Sequence, residues 1–221
     1  MRPLSQAPVD QHMILAKAAQ TIRMDAAAVL AVAEGLDASF CQVLDLLQRC
    51  TGKVLVTGMG TSGASARRIA HLLSCGGTPA LFVNAADGLH GGLGAVSEQD
   101  VVIAASKGGE SDELNEFCRR ARARGARLVA MTATSSSTLA RLADIVLIVQ
   151  TPSEADPGEM MAMGSALAVC ALGDALAITL MELRGYSWEA FEFTHPGGAV
   201  GKLIQGQHDD AAVSQQAIST R

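Results

Sequence analysis

The sequence predicts an α/β protein, a three-layer α/β/α sandwich around a five-stranded parallel sheet. Short Val/Ile/Leu/Ala-rich runs at 53–57, 79–83, 101–105, 127–132 and 145–149 alternate with segments of helical character. The runs are nearly continuous in apolar residues, as strands buried on both faces are. The alternation calls for right-handed crossovers through the intervening helices, which makes the strands parallel.

Each element has its own signal. Ile14, Leu15, Ala18, Ile22, Val29, Leu30 and Val32 recur at intervals of three and four, and the pattern resumes at Phe40, Val43, Leu44 and Leu47. Gly35 reads as a stop and Asp37 as an N-cap, so residues 1–52 hold one long and one shorter helix packing on the domain that follows. Within that domain, residues 53–205, helices at about 63–75, 111–124 and 136–143 join the strands. A long helix at about 159–184 and a short one at about 187–193 close it. From Gly206 to Arg221 the chain is polar and aperiodic, a loose tail.

Composition narrows the function classes. The chain has 221 residues, enough for one sizeable core, and with 49% hydrophobic but only 3% aromatic residues that core is built from Ala, Leu, Val and Met. A net charge of −5 without a basic block argues against nucleic acid or an anionic membrane as the main partner. Cys41, Cys50, Cys75, Cys118 and Cys170 are odd in number, scattered and free of C-x-x-C, which fits reduced thiols in a cytoplasmic protein. Met1 to Gln11 lacks the basic-then-apolar order of a signal peptide. Met160 to Met181 is long enough to span a bilayer, but it holds Asp174, Gly164, Ser165 and Gly173 and lacks anchoring residues at both ends. A helix apolar on all sides also suits the centre of an oligomer.

The candidate chemistry lies in the loops at the carboxyl ends of the strands, where open parallel sheets bind ligands. Lys53-Val-Leu-Val-Thr-Gly-Met-Gly-Thr-Ser-Gly63 reads as strand, tight loop and helix N-terminus, which favours an anion at Gly60, Thr61 and Ser62. The spacing also fits G-x-G-x-x-G, but a dinucleotide fingerprint needs an acid about 20 residues on, at the end of the second strand. That strand ends in Asn84 and the nearest acid, Asp87, comes later, so a phosphate ester is the better reading. The loop Ser106-Lys-Gly-Gly-Glu-Ser111 repeats the theme, so Ser62, Ser106 and Ser111 ring a phosphate at two helix N-termini, although Ser111 alone reads equally as an N-cap. Glu110 is a candidate base for a proton beside a carbonyl. His90 precedes a glycine-rich turn and His195 is held extended by Pro196. Glu154 and Asp156 open the long apolar helix as acids favoured by its dipole. No group of residues has zinc-ligand spacing, so no metal is expected.

Taken together, Gly58-Met-Gly-Thr-Ser-Gly63, His90-Gly-Gly-Leu-Gly94, Ser106-Lys-Gly-Gly-Glu-Ser111, Glu154-Ala-x-Pro157, Gly173-Asp-Ala-Leu-Ala177 and Thr194-His-Pro-Gly-Gly-Ala199 resemble the sugar isomerase (SIS) domain. Within it the likeness is to arabinose-5-phosphate isomerases, without the paired CBS modules that often follow. The resemblance implies an aldose–ketose isomerase of a phosphorylated sugar working through an enediol, with no nucleotide or other cofactor. It also implies a homotetramer or dimer with sites shared between subunits. Carried over by motif, His90, Glu110, Glu154 and His195 occupy catalytic positions, and Gly60, Thr61, Ser62, Ser106, Lys107, Ser111 and Ser165 hold phosphate or sugar hydroxyls. Of the two glutamates, Glu154 is favoured as the base. The chain departs from the family pattern at Thr61 (usually Lys), Gly92 (usually Asp), Lys107-Gly108 (usually Asn-Ser) and Met161-Ala-Met-Gly-Ser165 (usually Thr/Ser-rich). The altered first loop and the Met-rich wall leave a second reading, a sugar-phosphate sensor or scaffold without turnover.

Overall fold

A computed structural model describes residues 10–197 and residue 201. The expected tail from Gly206 lies outside the described residues. Five parallel strands, β1 (Val54–Gly58), β2 (Ala80–Val83), β3 (Val101–Ala105), β4 (Arg127–Thr132) and β5 (Ile145–Ile148), lie in the order β2-β1-β3-β4-β5. Pairing is in step, with Val54 beside both Ala80 and Val101, and Val129 beside Ile145. Side chains alternate between two cores. Val54, Val56, Val101, Ile103, Val129 and Met131 face one, while Leu55, Val102, Ala104, Leu128 and Ala130 face the other. Every residue of β1 and β3 is buried, which explains why these strands read as continuous apolar runs.

The first core is covered by α2 (Ala38–Gln48), α3 (Gly60–Cys75) and α7 (Gly164–Leu183), with α1 (Gln11–Glu34) lying across α7. The second is covered by α4 (Ala85–Leu89), α5 (Asp112–Ala123) and α6 (Thr138–Leu142). A last helix, α8 (Trp188–Thr194), follows α7. Gly35 ends α1, and the Asp37 carboxylate accepts from Ser39 N at 2.8 Å to cap α2, as the sequence indicates.

Two elements differ from expectation. Residues 84–94 hold a short helix, α4, because Asn84 Oδ1 accepts from Ala86 N and Asp87 N. The long helix begins at Gly164, five residues after the expected start. Pro157–Glu159 forms a separate 3₁₀ turn with Gly158 at φ +62°, a left-handed conformation that cannot continue into an α-helix. By length and hydropathy, α7 is the one helix among the described residues that could cross a membrane unaided. Here it packs on α1 and α3, and its Asp174 pairs with Arg68 of α3.

Asp100, 1% exposed, ties the starts of β1 and β3 together. Its carboxylate accepts from Lys53 N at 2.9 Å, Lys53 Nζ at 2.8 Å and Ser97 N at 2.7 Å. Burial alone would push this carboxyl up, but those bonds hold it below the usual carboxylate range.

Candidate active site

The strand order reverses between β1 and β3, since the chain leaves β1 for β2 on one side and β3 for β4 on the other. The loops that enter α3 and α5 leave the carboxyl ends of the paired strands β1 and β3, the switch point at which open parallel sheets form their ligand crevice. Close packing builds the first loop. A Cβ on Gly63 would lie 2.7 Å from Gly58 O, so only glycine lets α3 start this near the strand end. Gly60 has φ +52° with open space beside it, and α3 begins without a side-chain cap. Thr61 is exposed, and Ser62 is half-buried. In the second loop, Ser106 Oγ accepts from Gly109 N at 3.1 Å, and Gly109 O accepts from Leu139 N and Asn115 Nδ2. Gly109 has φ +69°, and a Cβ there would strike Ser137 Oγ at 2.2 Å. Ser111 is the N-cap residue of α5, but its hydroxyl makes no capping bond. Each loop thus leads into a helix whose first-turn N–H groups lack intrahelical acceptors, with Ser62 beside one helix start and Ser111 beside the other.

The second loop also carries Lys107. It lines both a narrow cavity of about 20 Å³ with Ser62, Ser65 and Ser165, and an adjoining cleft of about 790 Å³ bounded by Gly35, Asp37, Gln150 and Thr151. Its Nζ donates to Asp156 Oδ2 at 2.7 Å. Asp156 is 2% exposed, and its Oδ1 accepts from Met163 N at 2.8 Å and Ser165 N at 3.1 Å, which fixes the first turn of α7. Burial alone would raise the Asp156 carboxyl. Lys107, the Ser165 hydroxyl and N–H, and the Met163 N–H outweigh burial and hold it at about 2. The sequence reading treats Asp156 as a simple helix-dipole acid. Its part in anchoring Lys107 is what that reading missed, and its only trace in the sequence is an acid before Pro157 at the head of an apolar run.

Of the four expected catalytic side chains, Glu154 alone lines one of the hollows around Lys107 and Asp156 among the described residues. Glu154 lies on a 3₁₀ turn, Ser153–Ala155, and lines a hollow of about 450 Å³ with Asp156 and Glu159. Glu110 turns toward α6, where its Oε1 accepts from Thr138 N at 2.8 Å. The Thr138 hydroxyl and N–H, with help from Arg141, hold this carboxyl below its ordinary value. His90 ends α4 and is exposed. His195 ends α8, stacked on Phe191 with ring centroids 3.8 Å apart. Its Nδ1 lies 2.8 Å from Phe191 O, so that nitrogen carries the hydrogen and Nε2 is the basic one in the neutral ring. The structure does bring together Ser62, Lys107 and Ser165, with Glu154 joined to them through the Asp156 segment. Among the described residues, no three His, Cys, Asp or Glu side chains form a group able to hold a metal ion.

Comparison with known proteins gives the family. The family model of the SIS domain matches residues 47–179. The chain belongs to the SIS domain family. It is 37% identical over 187 residues to the arabinose 5-phosphate isomerase KdsD of Pseudomonas aeruginosa, covering 85% of this chain and 57% of that protein. It is 41% identical over 155 residues to KdsD of Escherichia coli K12, covering 70% and 47% respectively. The chain thus spans about half to three fifths of the length of these SIS relatives. A solved structure from Escherichia coli CFT073, in complex with arabinose 5-phosphate, superposes with a TM-score of 0.82 at 31% identity and covers 85% of this chain and 100% of that one. The expected α/β/α architecture and its five-stranded parallel sheet are those of this SIS fold.

Proposed function

We propose that the protein is a cofactor-independent aldose–ketose isomerase of a phosphorylated sugar, of the arabinose-5-phosphate isomerase kind. The observation that carries the reading is the cavity where Ser62 and Ser165, in the first turns of α3 and α7, meet Lys107 beside the segment bearing Glu154. Backbone N–H groups of the Gly60–Ser62 and Ser106–Ser111 loops suit a phosphate monoester. An imidazole suits the proton transfer of ring opening, and with Nδ1 of His195 directed at Phe191 O, Nε2 is the nitrogen to take that proton. Glu154 then moves a proton between C2 and C1 through the enediol, and hydrogen-bond donors stabilise the developing oxyanion. Glu110, engaged with Thr138, is the weaker candidate for that transfer.

We further infer a homotetramer or dimer with sites shared between subunits. Met13, Ile14, Leu15, Ile22 and Leu30 of α1, and Leu167, Ile178 and Leu183 of α7, are exposed large hydrophobics. Patches of this kind mark contact surfaces, and a second subunit is a means of bringing His90 and His195 to the Glu154 side. The test is incubation with a panel of pentose and hexose phosphates, scoring ketose formation. Turnover of one member is expected, and none with any of them would contradict the reading. Thr61 in the first loop and the Met161–Met163 wall, where the family usually has Lys and Thr/Ser, favour as second reading a sugar-phosphate sensor or scaffold. That reading expects ligand-induced thermal stabilisation with no isomerisation.

A further inference from the structure

Lys107 sits in the crevice with its charge already balanced. Its partner Asp156 is 2% exposed and lies 2.7 Å from Nζ. The Lys107 carbonyl accepts from Thr132 Oγ1 and from Ala133 N, each at 2.9 Å. Backbone and ammonium are therefore both fixed, and an ammonium with three N–H groups retains two for a ligand. A phosphate dianion about 3 Å from Nζ would lie within about 6 Å of the Asp156 carboxylate, so repulsion from one offsets much of the attraction to the other. A hydroxyl or carbonyl oxygen meets no such repulsion and still gains a charge-assisted, directed hydrogen bond.

We propose that Lys107, with Asp156 as its positioning residue, binds an uncharged oxygen of the substrate's carbon chain and not the phosphate group. This assignment rests on the sugar-phosphate reading above and, of the two expected partners of Lys107, phosphate and sugar hydroxyl, selects the second.

Isothermal titration calorimetry of the full chain, with inorganic phosphate and with arabinose 5-phosphate as separate probes, tests it. In Lys107→Met, arabinose 5-phosphate is expected to bind about 10- to 100-fold more weakly, the loss of one charge-assisted bond, while inorganic phosphate stays within about threefold. The double variant Lys107→Met/Asp156→Asn, which leaves no lone buried carboxylate to unfold the chain, is expected to behave alike. Asp156→Asn alone keeps an oxygen for Met163 N and Ser165 N but leaves Lys107 an unbalanced cation, so inorganic phosphate is expected to bind at least about tenfold more tightly. Equal weakening of both probes in the Lys107 variants, unchanged arabinose 5-phosphate binding, or no tightening in Asp156→Asn would each overturn the assignment while leaving the isomerase reading intact. A wild-type chain that binds neither probe would overturn that reading, and this assignment with it.

Discussion

Asp156 carries both stability and site geometry, and the two separate by pH. Its folded carboxyl is held at about 2, below the ordinary 3.8. A depressed folded value gives stabilisation that is complete above about pH 4 and is lost as pH falls toward 2. Urea unfolding followed from pH 5 to pH 2 is expected to show a steeper loss of stability in the wild type than in Asp156→Asn. Parallel slopes would mean that the ion pair with Lys107 adds nothing to folding. Asp100 and Glu110, also depressed, are common to both proteins and cancel in the comparison. The sequence shows Asp156 as an acid ahead of a helix. Its partner lies 49 residues away, and no local pattern reports a pairing that only the sheet topology creates.

Among the elements, the strand-to-helix junctions carry the most exacting geometry. Gly58 and Gly63 bring β1 and α3 within backbone contact, and a Cβ on either would lie within 3.0 Å of backbone atoms of the other segment. Gly63→Ala is expected to cost about 2 kcal/mol, the usual penalty for overpacking a tight contact. Its urea midpoint measures this, and an unchanged midpoint would mean that the junction is looser than its distances suggest. All five strands and the Gly35–Asp37 break were legible in the sequence, because β-branched runs, alternation and caps are local signals. The start of α7 was not, since Met160, Met161 and Met163 prolong the apolar run past a turn set by Gly158 and by the distant Lys107–Asp156 bond. Nor was α4, a five-residue helix held by a single Asn84 cap. Of the candidate site, the two strand-to-helix loops could be read from Gly and Ser spacing. The turning of Glu110 toward α6 could not, because its partner Thr138 belongs to the third element after it.

At the scale of the whole molecule, the exposed apolar faces of α1 and α7 are the feature a lone chain leaves unexplained. Light scattering coupled to size exclusion is expected to give the mass of a tetramer or dimer. Leu15→Glu/Ile22→Glu, which places charge on the α1 face, is expected to shift it toward the monomer with at least about tenfold loss of activity. A wild-type monomer would remove the shared-site proposal. The central claim is proton transfer on the carbon chain of a bound sugar phosphate, and deuterium uptake tests it most directly. Arabinose 5-phosphate and its panel mates are incubated with the protein in D₂O, and C2 is followed by NMR. The account predicts deuterium at C2 of at least one of them, with the rate cut by at least about 100-fold in Glu154→Gln. No uptake into any sugar, or uptake indifferent to Glu154, would contradict it.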